Sequence, residues 1–191
     1  MRALILDGTS ESNFGQNQLS ETVVTELKSV QWDVENLVLP ALNIISCQGC
    51  FGCWTRTPGV CVIKDDAREV AGKVVRSDLV VLITPVTFGG YSAELKKIMD
   101  RLIPLISPFF TKIRGEVHHK PRYEKYPRLV AVGILPVPDA DSEHLFKTLV
   151  SRNALNFHSP AYAAGVVSGT NGSAEVKGAV RELLAQVGVS E

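Results

Sequence analysis

A chain of 191 residues is long enough to bury one substantial core and short for two domains. Its 45% hydrophobic and 21% charged content is that of a globular protein and excludes a disordered tail, and no apolar run reaches the roughly 20 residues that span a bilayer. The 20 basic and 20 acidic side chains cancel, so no global field favours nucleic acid or anionic lipid, and neither is expected as a partner.

The opening MRALILDGTS has one Arg and a very short apolar run, so it is not expected to act as a signal peptide. The expectation is a cytoplasmic protein whose thiols are kept reduced. Ala3–Leu6 reads as a buried strand ending at Asp7-Gly8. Leu19, Val23, Leu27 and Val30 then recur at helical spacing, and Val34–Leu39 is a second strand stopped by Pro40. Asp66 followed by Glu69 resembles a capping box for a helix carrying Val70 and Val74. Leu79–Thr84 is an uninterrupted apolar strand, as expected where helices cover both faces of a sheet. Leu95, Ile98, Met99 and Leu102 mark the next helix, which Pro104 ends; Leu129–Leu135 is a fourth strand and Leu145–Asn156 a fourth helix. Tyr162–Val167 is a fifth strand, and a last helix runs from Ser173 through Val187 to Gly188. Five strands alternating with five helices predict a single-domain α/β protein with a doubly wound parallel sheet. Ligands of such sheets bind beyond the carboxyl ends of the strands, so the loops after strands one, three and four carry the functional interest.

The first of these loops, GTSESNFGQNQ, is crowded with hydroxyls and amides: Thr9, Ser10, Ser12, Asn13 and Asn17. Together with the free N–H groups of a helix start, they can bind phosphate without Lys or Arg. Neither GxGxxG nor GxxxxGK[ST] is present, which excludes the dinucleotide and Walker readings of this loop. An ordinary polar loop capping its helix remains the alternative.

Residues 40–65 hold all four cysteines, Cys47, Cys50, Cys53 and Cys61, spaced C-x2-C-x2-C-x7-C. Gly49, Gly52 and Gly59 let the backbone wrap closely around an inorganic centre, and Phe51 and Trp54 can shield it from water. The spacing resembles an iron–sulfur ligand run more than a zinc site, whose ligands group as two separated pairs. Three states stay open: a [4Fe–4S] cluster, zinc, or free and reversibly paired thiols.

TPVTFGGYSAELKKIMDR follows the strongest strand, with small residues at Gly89, Gly90, Ser92 and Ala93 that admit a planar ligand. Phe88 and Tyr91 are expected to supply aromatic surface for stacking. The two segments SCQGCFGC…GVCVIKDD and SDLVVLITPVTFGGYSAELKKIMDR resemble the NADPH-dependent FMN reductase family and its iron–sulfur flavoprotein branch. The match runs over roughly residues 3–101; beyond residue 104 only the strand–helix rhythm is shared.

The resemblance implies a flavodoxin-like fold and non-covalent FMN. The phosphate would sit at Gly8-Thr9-Ser10 and the helix start near Asn17, and the isoalloxazine on Pro85, Val86, Thr87, Phe88 and Gly89. It also implies NAD(P)H as co-substrate, the four cysteines as metal ligands, a small-molecule acceptor or a ferredoxin-like carrier as partner, and a homodimer or homotetramer. Two positions depart from the family pattern: Glu11 stands where the family has Arg, and Thr87 where it has Tyr. Because the cofactor carries the redox chemistry, no acid–base dyad and no catalytic nucleophile are expected.

Residues 104–127 form a long, proline-punctuated insertion. Between Lys112 and Arg128 it has six basic residues against two acidic, interleaved with Tyr123 and Tyr126. It reads as a solvated arm or dimer contact, or as a clamp for the adenine phosphate of NAD(P)H or a docking face for an acidic partner. His118-His119, His144 and His158 receive no role; Asp65-Asp66 reads as a helix cap and Asp100-Arg101 as a structural or interface ion pair. The function expected is an FMN-dependent oxidoreductase, with a non-catalytic electron carrier or redox sensor as the alternative.

Overall fold

The computed structural model describes residues 1–9 and 16–189. The five apolar runs form strands β1 (Arg2–Asp7), β2 (Asp33–Val38), β3 (Leu79–Pro85), β6 (Arg128–Leu135) and β7 (Tyr162–Ser168) of one parallel sheet, ordered β2-β1-β3-β6-β7. That order is the flavodoxin-like one, and its switch point lies between β1 and β3. Alternate residues of each strand face opposite sides. Leu4, Leu6, Val80, Leu82, Leu129 and Ala131 pack beneath helices α3 (Ala67–Arg76), α4 (Ala93–Arg101) and α5 (Ala140–Asn156). Ala3, Ile5, Leu79, Val81, Ile83 and Val130 pack beneath α1 (Gln16–Ser29) and α6 (Ser173–Gln186). A four-residue helix, α2 (Gly52–Thr55), sits inside the cysteine segment. Among the described residues no helix is long and apolar enough to cross a membrane.

Three sequence expectations are corrected. Helix α5 starts at Ala140, five residues before Leu145, because the Asp139 carboxylate accepts the N–H groups of Asp141 and Ser142. Its first turn is polar and therefore invisible to apolar periodicity. Residues 104–127 are not an unstructured arm. After a 3-10 turn at Ile103–Leu105, strands β4 (Ile106–Ile113) and β5 (Glu116–Pro121) pair as an antiparallel hairpin. Its two-residue turn, Arg114-Gly115, has both residues left-handed (φ 51° and 87°), matching strand twist. The Asp66–Glu69 capping box does not form: Asp66 occupies the cap position, but its carboxylate accepts the Asn43 N–H at 2.7 Å, and Glu69 pairs with Lys73.

Candidate functional site

The loops after β1 and β3 meet at the switch point. Gly8 N–H donates to the Ile83 carbonyl at 2.8 Å, and Ser92 Oγ donates to the Gly8 carbonyl at 3.0 Å. Ser92 is also the cap of α4, accepting the Leu95 N–H, so one hydroxyl joins both loops to a helix start. A Cβ at Gly8 would stand 2.9 Å from Leu95 Cβ and 3.0 Å from Ser92 Oγ, which is why glycine fits there. Thr9 is buried, and its N–H and hydroxyl both donate to Asp7 Oδ1 at 2.9 and 2.6 Å. Its hydroxyl therefore braces the loop from beneath. Ser10, Glu11, Ser12 and Asn13 lie outside the described residues; Asn17 lies in the first turn of α1.

After β3, Thr87 and Gly90 exchange backbone hydrogen bonds around Phe88 and Gly89, whose φ angles are 49° and 73°. This is a type I′ geometry. It turns the Phe88 ring fully into solvent, at 101% exposure, and presses Gly89 against Leu145, whose Cβ is 2.7 Å from where a Gly89 Cβ would be. Among the described residues the N–H groups of Phe88 and Gly89 have no acceptor, so the tip offers two backbone donors. Pro85 and Val86 are half-buried, with Val86 lying over Gly133 of β6. Tyr91 corrects the stacking expectation. It is buried edge-on to Phe146 with its hydroxyl accepting from Asn153, and burial pushes its pKa up to about 12.

The cysteine segment leaves the carboxyl end of β2 and is held at the carboxyl end of α4 and the turn that follows it. Trp54 Nε1 donates to the carbonyls of Ile103 and Ile106 at 3.2 and 3.0 Å, beyond the carboxyl end of α4. Phe51 stacks on Trp54, which also meets His119 of the hairpin, itself against Phe110. The loop after β3 and this anchor thus lie at opposite ends of α4, a helix of about 13 Å by its rise per residue. All four thiols are free; Cys47 and Cys50 are exposed, Cys61 is half-buried and Cys53 is buried. Burial pushes the Cys53 thiol up, and the neighbouring Cys61, Cys47 and Cys50 add to the shift. Among the described residues no three His, Cys, Asp or Glu side chains are grouped as ligands of a single metal ion.

Sequence reasoning missed the partner that ties this segment down. Besides the Ala67 backbone at the start of α3, Asp65 meets Arg101 in an ion pair at 2.6 Å whose side chains are both fully buried. Burial opposes the charge on Asp65, but hydrogen bonds from Arg101 and the Ile45 N–H outweigh it and hold the carboxyl below the usual range. Asp100 instead pairs with Lys96 on the surface.

A cavity of about 590 Å³ lies elsewhere. It is lined by Arg76, Asp78, Tyr123, Tyr126, Arg128 and His158, at the amino ends of β3 and β6. The tyrosine end of the insertion is therefore a strand length, roughly 20 Å, from the loops after β1 and β3.

A five-stranded sheet of this order, with its β1 and β3 loops stitched at the switch point, defines a flavodoxin-like protein with a ligand edge at those loops. The profile of the NADPH-dependent FMN reductase family matches residues 1–133, and the chain belongs to that family. It is 29% identical over 104 residues to an iron–sulfur flavoprotein of Archaeoglobus fulgidus, covering 54% of this chain and 46% of that protein. An iron–sulfur flavoprotein of Methanocaldococcus jannaschii is 30% identical over 105 residues, covering 55% and 53%. The match thus spans about half the length of these relatives. Among solved structures, an NAD(P)H:quinone oxidoreductase from Methanothermobacter marburgensis has the same fold, with a TM-score of 0.71, 15% identity and 96% of each chain covered.

Proposed function

We propose that this chain takes electrons from NAD(P)H or a reduced carrier onto FMN and delivers them to a small acceptor, with its four cysteines holding a [4Fe–4S] centre. The observation that carries the flavin part is the Ser92–Gly8 bond, which locks two loops into one edge beside a tip with unpaired backbone donors. FMN, when bound, supplies the hydride and single-electron chemistry. The chain's own work is to bind and orient it. On the sequence, Ser10, Ser12 and Asn17 are assigned as phosphate donors together with the N–H groups opening α1, while Thr9 braces the loop through Asp7. Pro85, Val86, Thr87, Phe88 and Gly89 form the ring end, with the Phe88 and Gly89 N–H groups as donors to the ring edge.

Four thiols on one glycine-punctuated loop make a donor set that suits iron–sulfur chemistry, which would add single-electron transfer. Exposure of Cys47 and Cys50 favours a second reading, a non-catalytic carrier or redox sensor that meets a ferredoxin-like protein there. Exposed Phe109, Phe110 and Val117 on the hairpin support a homodimer or homotetramer.

An anaerobic preparation assayed for flavin, iron, sulfide and zinc per chain tests the cofactors. Steady-state NAD(P)H oxidation with free FMN, quinone or ferricyanide tests turnover. Turnover supports the oxidoreductase; a flavin- and iron-loaded chain that turns over with none of these acceptors is a carrier or sensor. A chain that takes up no FMN refutes both.

A further inference from the structure

The amino ends of β3 and β6 carry a cavity at the far end of the sheet from the switch point. Its volume, about 590 Å³, is within the range of small-molecule sites, roughly 300–1,000 Å³. Three rings in contact line it. Tyr126 is the fixed one: its hydroxyl donates to the Leu105 carbonyl at 2.6 Å and accepts the Arg122 N–H at 2.8 Å. Tyr123 meets it edge-on with centroids 6.2 Å apart, and the His158 ring lies tilted against it at 5.5 Å. His158 is kept there against its backbone preference. It follows the last turn of α5 in the left-handed conformation, φ 53°, at a position where glycine is usual. Its Nε2 donates to the His119 carbonyl at 2.7 Å, which fixes the ring to the hairpin. A side chain held in a strained backbone region points to a use, and this one supplies a wall of the cavity.

The cations of the wall are free by contrast. Arg76, the last residue of α3, and Lys125 are both exposed and both line the cavity. Among the described residues neither side chain has a hydrogen-bond or ion-pair partner, and the Tyr123 hydroxyl has none either. Glu69 is near enough to feel Arg76, but it is bound to Lys73 at 2.7 Å. Arg128 adds a third cation, with Nη1 taken up by the Val187 and Gly188 carbonyls at 3.1 and 3.2 Å. Against these three stand two acids: Asp78, whose carboxylate accepts the Arg2 N–H at 2.8 Å, and the exposed Glu124.

We propose that this cavity is a second ligand site, built for a planar ring joined to a phosphate. Tyr123, Tyr126 and His158 form its ring face, and Arg76 and Lys125 its anion end. Aromatic walls take a planar ring in offset or edge-on contact. A guanidinium fork matches two phosphate oxygens, and such charge-assisted bonds are about twice as strong as neutral ones. A smaller hollow of about 220 Å³, which Arg76 and Tyr123 also line, continues the groove to Arg68 and Cys61, so the anion end is open on two sides. The site is a strand length from the loops after β1 and β3, and the two ends of the sheet can be filled independently.

The test is isothermal titration of the full chain with adenosine monophosphate, and with adenosine as the probe that lacks the phosphate. Wild type is expected to bind the monophosphate about tenfold more tightly than adenosine, the worth of one charge-assisted hydrogen bond. Arg76→Gln should weaken the monophosphate about tenfold and leave adenosine unchanged. Tyr123→Ala should weaken both by about fivefold through loss of the ring contact. Both side chains are exposed, so these variants are expected to fold. Ser92→Ala, at the switch point, should change neither affinity. No binding of the monophosphate at millimolar concentration overturns the proposal. So does equal affinity for monophosphate and adenosine, or wild-type affinity in Arg76→Gln or Tyr123→Ala. A loss in Ser92→Ala as large as in Arg76→Gln puts the nucleotide at the switch point and overturns it too.

Discussion

Replacing Asp65 by asparagine isolates the energetics of the Arg101–Asp65 clasp. Both partners of the Arg101–Asp65 pair have no side-chain exposure, and the carboxylate accepts two guanidinium hydrogen bonds and the Ile45 N–H. Asp65→Asn sets an amide against the guanidinium and leaves a buried positive charge without its counter-ion. Removing one partner of such a pair costs about 3–5 kcal/mol, a large part of a domain's usual stability of about 5–15 kcal/mol. The double variant Asp65→Asn/Arg101→Met strands no charge, and its asparagine oxygen can still accept the Ile45 N–H. It is expected to cost less than Asp65→Asn alone. The assay is urea unfolding of the apo, thiol-reduced protein, followed by fluorescence of Trp54 and Trp32 and extrapolated linearly. Acid adds a second signature. Because the folded pKa of Asp65 is depressed, its contribution is fully present above the unfolded carboxylate pKa of about 3.9 and is lost as pH falls through the folded value. Wild type should lose stability below about pH 4 more steeply than Asp65→Asn. A single-variant cost under about 1 kcal/mol, the range of exposed pairs, or strictly additive costs in the double variant, would refute the buried-clasp argument.

Other substitutions separate fold from site. Gly8→Ala puts a methyl 2.9 Å from Leu95 Cβ, so about 1–3 kcal/mol of stability should be lost by overpacking, together with FMN affinity measured by quenching of flavin fluorescence. Ser92→Ala removes the α4 cap and the bond to Gly8; thermal unfolding should report about 1 kcal/mol, and FMN should bind more weakly because the two loops come apart. Phe88→Ala should leave stability within about 0.5 kcal/mol, since the ring is wholly exposed, yet weaken FMN binding by about 0.5–1.5 kcal/mol if the ring covers the isoalloxazine. Equal FMN affinity in Phe88→Ala and wild type removes Phe88 from the site.

The sheet was legible because both its faces are covered, which writes its inner strands as unbroken apolar runs such as LVVLIT. The hairpin was not, since prolines and charges masked its alternation; the signal that would have found it is Arg114-Gly115 between two short runs of β-formers. Phe88 and Tyr91 look equivalent in a string of letters. Only the left-handed pair Phe88-Gly89 sends one ring outward and lets the other return to the core. The Asp65–Arg101 bond joins residues 36 apart, and each half has a plausible local explanation, a helix cap or a surface charge, that conceals the other.

Helix α4 gives the two halves of the site their relation. Its cap, Ser92, stitches the flavin-side loops; its last residue, Arg101, clasps the cysteine segment. Between them Leu95 and Ile98 are wholly buried in the core beneath, so the helix cannot tilt at one end without disturbing packing at the other. A strut held in this way fixes the separation of the two ends and does not signal between them by motion.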